Sequence, residues 1–312
     1  MIELSAPLYI AWQLTNECNL ACLHCIEGSG PGRAFPDEMG REECLRVAAE
    51  MVRESVPYVA LSGGEPMTHP AFFDLAGALC AGGAAVKVET NGHFLTPEAC
   101  GRLARMGVHS AQVSLDGVSE DAYRKLRPRG RLETVLAGLR GLRSAGVPFE
   151  VNFCPTRFNV GEIAETIDLA RELGAGGFYT GRTMYTGNAV AAWDRIAPSE
   201  EQYREFFRVV QGKSREYKGR MRVRYHELGL LEELRYRLRN PAALFIVLPN
   251  GLVKLINALP FVCGDLRRES LREVWAKFQR SWELPQVNAF VEEMGRRPEL
   301  TSELHDWVAL SA

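Results

Sequence analysis

The sequence predicts an α/β protein built on parallel strands, followed by a smaller α+β portion. Between residue 9 and about residue 190, strand-like and helix-like runs alternate in six strand-then-helix units. Such units join parallel strands by right-handed crossovers, so we expect a partial (β/α) barrel or a doubly wound open sheet. With 312 residues, 46% hydrophobic and 24% charged, the chain can form one barrel-sized domain and an appendage.

The individual elements follow from apolar periodicity. Short apolar runs predict strands, and apolar residues at helical spacing predict helices. The predicted strands are residues 9–14, 56–61, 85–89, 111–115, 149–153 and 178–180. The predicted helices are residues 41–53, 71–81, 132–144 and 161–173, with a further helix that begins at the capping residue Thr96.

The pattern changes at residue 197, where we expect the alternation to end. We therefore predict two domains, a core of residues 1–196 and an extension of residues 197–312. Within the extension, capping boxes at residues 199–202 and 270–273 begin two helices. Pro249-Asn250-Gly251 separates two apolar runs and predicts a β-hairpin, because Asn and Gly accept positive φ.

Composition and charge exclude several classes of function. The net charge of -2 and the pI near 6.4 offer no field that would gather nucleic acid or an anionic membrane, so neither is an expected partner. No apolar run approaches the roughly 20 residues of a membrane span, and the start of the chain carries no export signal. Eight cysteines in such a chain indicate a reducing compartment, and we expect a cytoplasmic protein.

Three of the cysteines, Cys18, Cys22 and Cys25, form a Cys-x3-Cys-x2-Cys run. Three thiolates can hold three irons of a [4Fe-4S] cluster and leave the fourth iron open to a small molecule, as a catalytic cluster requires. A zinc site or three unrelated thiols are the alternatives. Zinc usually takes a second Cys-x2-Cys pair or histidines at set spacing, and no second pair is present.

A second motif, Ser62-Gly63-Gly64-Glu65-Pro66, follows the second predicted strand. Consecutive glycines let a ligand approach the backbone closely, and Glu65 adds charge. α/β folds bind ligands at the carboxyl ends of their strands, although a plain strand-to-helix turn is an alternative. With the cysteine run at this separation, the motif resembles the radical S-adenosylmethionine (SAM) superfamily, and the resemblance extends over residues 9 to about 190.

That resemblance implies a fold and a chemistry. The fold is a partial (β/α)6 TIM-like barrel with a small C-terminal α+β extension of a β-hairpin plus helices. The chemistry is reductive cleavage of SAM at the [4Fe-4S] cluster, which yields methionine and a 5′-deoxyadenosyl radical that removes a hydrogen atom from substrate. An external flavodoxin or ferredoxin is implied as the electron donor.

The resemblance also implies where SAM binds. The matching positions are Gly63, Gly64, Glu65 and Pro66 for the SAM amino group, Asn91 for the ribose, Ser114 and Asp116 at a cavity-facing strand end, Arg127 for the carboxylate and His24 near the adenine.

The residues alone leave alternatives open at these positions. Asn91 can belong to an ordinary Asn-Gly turn, Asp116 can cap a turn, and His24 can be structural. Arg124 or Arg129 can replace Arg127. A polar rim loop after the sixth strand includes Arg182, Tyr185 and Asn188, which can contact substrate or merely be solvated.

The hairpin and the second capped helix resemble the SPASM/twitch extension of radical SAM maturases. That extension normally carries several cysteines for auxiliary clusters, whereas Cys263 is the one cysteine after Cys154 in this sequence. One thiolate cannot hold a cluster alone, so we expect a SPASM-like extension without an auxiliary cluster. Without an auxiliary cluster to accept an electron from a substrate radical, redox-neutral chemistry such as epimerisation or rearrangement is favoured, with Cys263 or Cys154 as a hydrogen-atom donor. Cys263 can instead be a relic packed under the hairpin.

Two classes of function remain. The first is a radical SAM enzyme acting on a peptide, a tetrapyrrole or other cofactor precursor, or a natural-product intermediate. A peptide would need a separate recognition protein, because about eight residues precede the first strand. The second is a non-catalytic iron-sulfur or zinc protein on the same fold.

Overall fold

The computed structural model describes residues 4–241, 243–302 and 305–311. The expectation that the chain carries no export signal concerns its start, and residues 1–3 of that start lie outside the described residues. The described strands are β1 Tyr9–Gln13, β2 Tyr58–Ser62, β3 Ala85–Thr90, β4 Ser110–Ser114, β5 Phe149–Phe153, β6 Gly177–Gly181, β7 Arg222–His226, β8 Leu244–Val247, β9 Leu252–Lys254, β10 Phe261–Asp265 and β11 Val308–Ala309.

The helices lie between the strands. They are α1 Arg41–Arg53, α2 Phe72–Ala81, α3 Pro97–Met106, α4 Glu120–Leu126, α5 Leu132–Ala145, α6 Ile163–Leu173, α7 Asn188–Ile196, α8 Glu200–Glu216, α9 Leu230–Arg239, α10 Leu271–Ser281 and α11 Pro285–Met294. The predicted strands and helices of the first 180 residues are confirmed to within a few residues at their ends.

All described strands belong to one sheet in the order β11-β10-β9-β8-β1-β2-β3-β4-β5-β6-β7. Strands β1 to β7 are parallel in chain order, and β8 adds a further parallel strand on the other side of β1. Strands β9 and β10 then run antiparallel. The sheet does not close, so the fold is a partial (β/α) barrel that continues into an α+β extension.

Strand β7 corrects the expectation that the alternation ends at residue 197. Helix α8, which the capping box at Ser199 begins, leads into β7, and β7 pairs in parallel with β6. The sequence conceals this strand because Arg222 and Arg224 interrupt its apolar pattern.

The predicted hairpin is confirmed, with a different turn geometry. Gly251 N–H donates to the Leu248 carbonyl at 2.9 Å, which makes Pro249 and Asn250 the central residues of the turn. Only Gly251 adopts positive φ there, at 85°. The expectation of positive φ at Asn250 was therefore wrong, and a Pro249-Asn250 turn followed by a left-handed glycine replaces the simple Asn-Gly turn.

The two faces of the parallel sheet differ in polarity. Val86 and Val88 of β3 are fully buried against the helices, and the alternate residues Lys87 and Glu89 face the concave side. The concave face is therefore polar along β3, and the cysteine run lies at the carboxyl edge of the sheet, immediately after β1. No helix among the described residues is long and apolar enough to cross a membrane.

Candidate functional site

The cysteine loop that follows β1 is buried at the carboxyl edge of the sheet. Cys18 and Cys22 are 7% and 8% exposed and pack with Leu20, while Cys25 is partly buried against them. Asn188, at the start of α7, holds the loop from outside. Its backbone N–H donates to the Cys25 carbonyl at 2.8 Å, and its side-chain amide donates to the Cys22 carbonyl at 3.0 Å.

The sulfur atoms of this loop accept hydrogen bonds from polar groups around them. Leu20 N–H donates to Cys18 Sγ at 3.4 Å, and Asn91 Nδ2 lies 3.7 Å from the same sulfur. Arg127 Nη1 donates to Cys22 Sγ at 3.4 Å. Such contacts stabilise thiolates and tune the potential of an iron-sulfur cluster.

Burial makes these cysteines poor thiolates without a metal. It raises the pKa of Cys18 to about 11 and that of Cys22 to about 12, and it also raises the pKa of Cys25. Metal coordination deprotonates thiols and offsets this cost, so the donor set fits an iron-sulfur cluster. Within the described ranges no group of three His, Cys, Asp or Glu side chains could hold one metal ion. In a cubane each cysteine binds its own iron, so that geometry is not required here.

Gly63 and Gly64 allow the loop after β2 to lie directly against the cysteine loop. A Cβ on Gly63 would lie 2.5 Å from the Thr15 carbonyl oxygen, and one on Gly64 would lie 2.2 Å from the Glu17 carbonyl oxygen. Gly64 N–H donates to Thr15 at 2.7 Å, and Glu65 N–H donates to Glu17 at 2.9 Å. The two glycines thus serve a close contact between backbones, in addition to any contact with a ligand.

The Glu65 carboxylate joins this loop to the end of β3. It is fully buried and accepts hydrogen bonds from Thr90 Oγ1 and from Asn91 N–H, each at 2.9 Å. Burial raises the pKa of Glu65 to about 7, although these hydrogen bonds act to lower it. Asn91 Nδ2 also donates to Asn19 Oδ1 at 2.8 Å, so the predicted ribose contact stands beside Cys18.

Asp116 and Arg127 form a buried ion pair. Arg127 Nε and Nη2 both lie 2.6 Å from Asp116 Oδ2, with Asp116 fully buried and the Arg127 side chain 6% exposed. Burial acts to lower the pKa of Arg127, but the charges of Asp116 and Cys22 together raise it. Arg124 and Arg129 are exposed, so Arg127 is the one arginine of this segment placed at the site.

His24 completes this group. Its Nε2 lies 3.6 Å from Asp116 Oδ2 and 3.4 Å from Arg127 Nη2. Burial lowers the pKa of His24 to about 4, which keeps the imidazole neutral. Its Nδ1 is buried without a hydrogen-bond partner in the described structure, which leaves one polar atom for a bound group.

The other predicted residues are divided between the site and the core. Cys154, just past the end of β5, donates its backbone N–H to Asp116 Oδ1 at 2.8 Å. Ser114 ends β4 and is partly exposed. Pro66 is buried at the start of a short 3-10 turn. Cys263 lies elsewhere, 3% exposed within β10, and its Sγ donates to the Val253 carbonyl at 3.6 Å.

The structure also reveals polar contacts that the sequence analysis did not find. Lys254 of β9 is 2% exposed and donates from Nζ to the Asn257 carbonyl at 2.9 Å. Asn257 Nδ2 in turn donates to Glu27 Oε1 at 2.5 Å, two residues beyond Cys25. The extension thereby reaches the cysteine loop through buried polar groups. These residues belong to no local motif, so only their spatial proximity could reveal them.

The rim loop after β6 has mostly structural contacts. Arg182 pairs with Glu200 through two hydrogen bonds of 2.8 and 2.9 Å, and the Tyr185 ring packs edge-on against Trp193 with centroids 5.1 Å apart. Asn188 is the rim residue that hydrogen-bonds to the cysteine loop, through its backbone N–H and its side-chain amide.

A buried three-cysteine loop and a glycine-rich ligand loop at one edge of a partial barrel define an iron-sulfur enzyme that binds SAM. Residues 12–181 match the Radical SAM superfamily, and the chain belongs to it. Members of this superfamily use a [4Fe-4S] cluster and SAM, so the chain is a radical SAM enzyme.

Similar curated proteins are named as a heme synthase and as a maturase. The AdoMet-dependent heme synthase of Methanosarcina barkeri is 30% identical over 87% of this chain and 82% of its own length. The mycofactocin maturase MftC of Mycolicibacterium smegmatis is 34% identical over 65% of this chain, which spans about half (52%) of that maturase.

Solved structures share the fold. SuiB of Streptococcus suis bound to SAM superposes with a TM-score of 0.72 at 16% identity, covering 87% of this chain and 66% of SuiB. The native anSMEcpe structure with bound AdoMet gives a TM-score of 0.66 at 14% identity, covering 88% of this chain and 82% of that one. At these sequence identities the similarity shows a shared fold only.

Proposed function

We propose that this radical SAM enzyme abstracts a hydrogen atom from a peptide or cofactor-precursor substrate in a redox-neutral reaction such as epimerisation or rearrangement. The observation that carries this proposal is the placement of one additional thiol, Cys154, beside Asp116 and the cysteine loop. The one later cysteine of the sequence, Cys263, is packed in the core of the extension.

Each part of the site has a distinct task in this proposal. When bound, the [4Fe-4S] cluster and SAM supply a 5′-deoxyadenosyl radical that removes the substrate hydrogen atom. Cys18, Cys22 and Cys25 would ligate the cluster, and the amide and guanidinium donors on their sulfurs stabilise the thiolates. The predicted SAM contacts lie in or around this loop or at the ends of neighbouring strands. They are His24, Gly63, Gly64, Glu65, Pro66, Asn91, Ser114, Asp116 and Arg127.

Cys154 is suited to return a hydrogen atom to the substrate. Burial raises its pKa to about 12, so the thiol keeps its proton at neutral pH, and its Sγ lies 3.5 Å from Thr183 Oγ1. Its S–H bond breaks as a new C–H bond forms on the substrate, which leaves a sulfur-centred radical on Cys154. One electron from the external donor and one proton then restore the thiol, so the substrate undergoes no net oxidation.

The proposed partners follow from this scheme. A flavodoxin or ferredoxin would supply the electrons. We assign residues 1–196 to the radical SAM core, to which α8 and β7 add a further parallel strand, and the rest of residues 197–312 to a SPASM-like extension without an auxiliary cluster. The strands β8 to β10 of that extension continue the core sheet through β1. A reducing compartment suits eight free cysteines and an oxygen-labile cluster.

A tetrapyrrole is a second candidate substrate. The likeness to AdoMet-dependent heme synthase covers most of both chains and favours a tetrapyrrole precursor, whereas the likeness to the mycofactocin maturase is confined to part of that protein. Both candidates share the same radical initiation and differ in what occupies the concave face.

Anaerobic reconstitution tests the initiation step. We expect about four irons per chain and 5′-deoxyadenosine that forms only with dithionite and SAM. Cys22→Ser should lose the iron, while Cys80→Ser, a matched change of a free cysteine on α2, should retain it. A chain that binds zinc and no iron, or that makes no 5′-deoxyadenosine with a full cluster, contradicts the proposal.

Solvent deuterium tests the hydrogen donor. In D2O the thiol exchanges, so the product should carry one deuterium at the reacting carbon. Cys154→Ala should abolish this incorporation, and Cys263→Ala, the core control, should not. Unchanged turnover and deuterium incorporation in Cys154→Ala would eliminate Cys154 as the donor.

A further inference from the structure

The concave face of the sheet holds a charged cavity of 280 Å³ away from the cysteine loop. Its charged lining consists of Lys87, Glu89, Glu150, Arg222 and Arg224. The interior of a closed (β/α) barrel is usually filled by packed branched side chains. Here polar side chains line an open space, which indicates a binding surface.

The charges in the cavity are paired with one exception. Lys87 Nζ lies 3.6 Å from a carboxylate oxygen of Glu89 and 3.6 Å from one of Glu150. Arg222 Nη2 lies 3.5 Å from the other Glu150 oxygen. Arg224 makes no ion pair within the part of the chain that the structure describes. Three cations thus face two carboxylates, and the excess positive charge belongs to Arg224.

Arg224 also lies at the open edge of the sheet. It belongs to β7, the last strand of the open sheet, and it is exposed. Its neighbour across the strand pair, Tyr179, is 42% exposed. A guanidinium at an open edge can bind a carboxylate through two parallel hydrogen bonds without first breaking a protein ion pair.

The register gives the separation between the backbone positions of Arg224 and Cys154. Arg224 pairs with Tyr179, and Tyr179 pairs with Asn152, so all three lie at one level of the sheet. Cys154 lies two residues beyond Asn152, just past the end of β5. Two residues along a strand and two strands across correspond to about 7 Å and about 10 Å, hence about 12 Å in total.

We propose that Arg224 binds a carboxylate of a substrate whose reacting carbon lies near Cys154, with the backbone positions of the two residues about 12 Å apart. The inference rests on the proposed function and specifies its substrate class as an anionic molecule that spans this distance. A tetrapyrrole propionate and the C-terminal or side-chain carboxylate of a short peptide both meet this description.

Binding to reconstituted protein under anaerobic conditions tests the site. The probes are a porphyrin with four propionates and its tetra-amide, and a tetrapeptide acid and its C-terminal amide, each titrated by calorimetry. We expect at least one acid to bind about tenfold or more tightly than its amide, and Arg224→Gln to remove that difference. Arg224→Lys keeps the positive charge without the two parallel N–H donors. It should recover part of the difference in affinity between acid and amide. The acid that binds identifies the source of the carboxylate.

Arg208→Gln is the matched control. Its side chain is 72% exposed on α8 and pairs with Glu205, so the same substitution there should leave binding unchanged. Equal binding of acid and amide, no binding of any probe, or undiminished acid binding in Arg224→Gln overturns the inference. If wild-type protein forms 5′-deoxyadenosine and any of these binding results is obtained, this inference alone is overturned. Arg224-dependent binding without 5′-deoxyadenosine overturns the proposed function instead.

Discussion

Replacing Gly64 with Ala tests whether the glycine loop is required for its close packing against the cysteine loop. The new Cβ would lie 2.2 Å from the Glu17 carbonyl oxygen and 2.7 Å from its carbon, both backbone atoms that cannot rotate away. The loops must therefore separate by roughly 1 Å to restore an ordinary van der Waals distance.

The structure sets the size of the effect. Separation lengthens the 2.7 Å bond from Gly64 N–H to Thr15 and the 2.9 Å bond from Glu65 N–H to Glu17. Two weakened hydrogen bonds cost about 1 kcal/mol each, and overpacking adds about 1 kcal/mol or more. We expect Gly64→Ala to lower the free energy of unfolding by about 3 kcal/mol. The reconstituted variant should also hold less iron, because Glu17 precedes Cys18.

Urea denaturation under anaerobic conditions and iron analysis measure these effects. Gly212→Ala is the matched control, because Gly212 lies in α8 with no atom within 4 Å of the added Cβ. That change should be neutral or stabilise the protein by up to about 1 kcal/mol, since Ala is the better helix former. A Gly64→Ala protein with wild-type stability and iron content would refute the close-approach argument.

Three further predictions follow from buried groups. Asp116→Asn leaves the Arg127 charge buried without its counterion. We expect it to lower the free energy of unfolding, measured in urea, by about 3 kcal/mol. A loss below about 1 kcal/mol would contradict the ion-pair assignment. Burial lowers the pKa of Lys254 to about 8, so the unfolded chain binds more protons between about pH 8 and 10.5 and stability rises with pH there. Wild type should therefore gain about 2 kcal/mol relative to Lys254→Met between pH 8 and 10 in denaturant titrations, and a constant difference would exclude this titration. Cys263→Ala should lose about 1 kcal/mol of stability with unchanged iron content, and loss of iron would place Cys263 at the cluster instead.

Local pattern was sufficient for most strands, for the helices that the crossovers require, and for the two loops that define the superfamily. It failed at β7, because the alternate Arg222 and Arg224 face the cavity and break the apolar run. It also failed at Asn250, whose conformation depends on the preceding proline and the following glycine.

The candidate site residues could be proposed from the sequence, but their arrangement could not. Arg124, Arg127 and Arg129 are equivalent in sequence, and only burial beside Asp116 distinguishes Arg127. Cys154 and Cys263 were equal candidates by type. The fold brings Cys154 to the edge with the cysteine loop and places Cys263 in the core.

Cysteine spacing, paired glycines and apolar periodicity are properties of neighbouring residues, and they alone identify the superfamily and its parallel sheet. The open edge at β7, the Asp116–Arg127 pair across 11 residues and the Lys254–Asn257–Glu27 contact across more than 200 depend on tertiary structure. Their reason is physical: a buried charge is stable only beside a partner, and which residues become partners depends on how the sheet brings distant segments together.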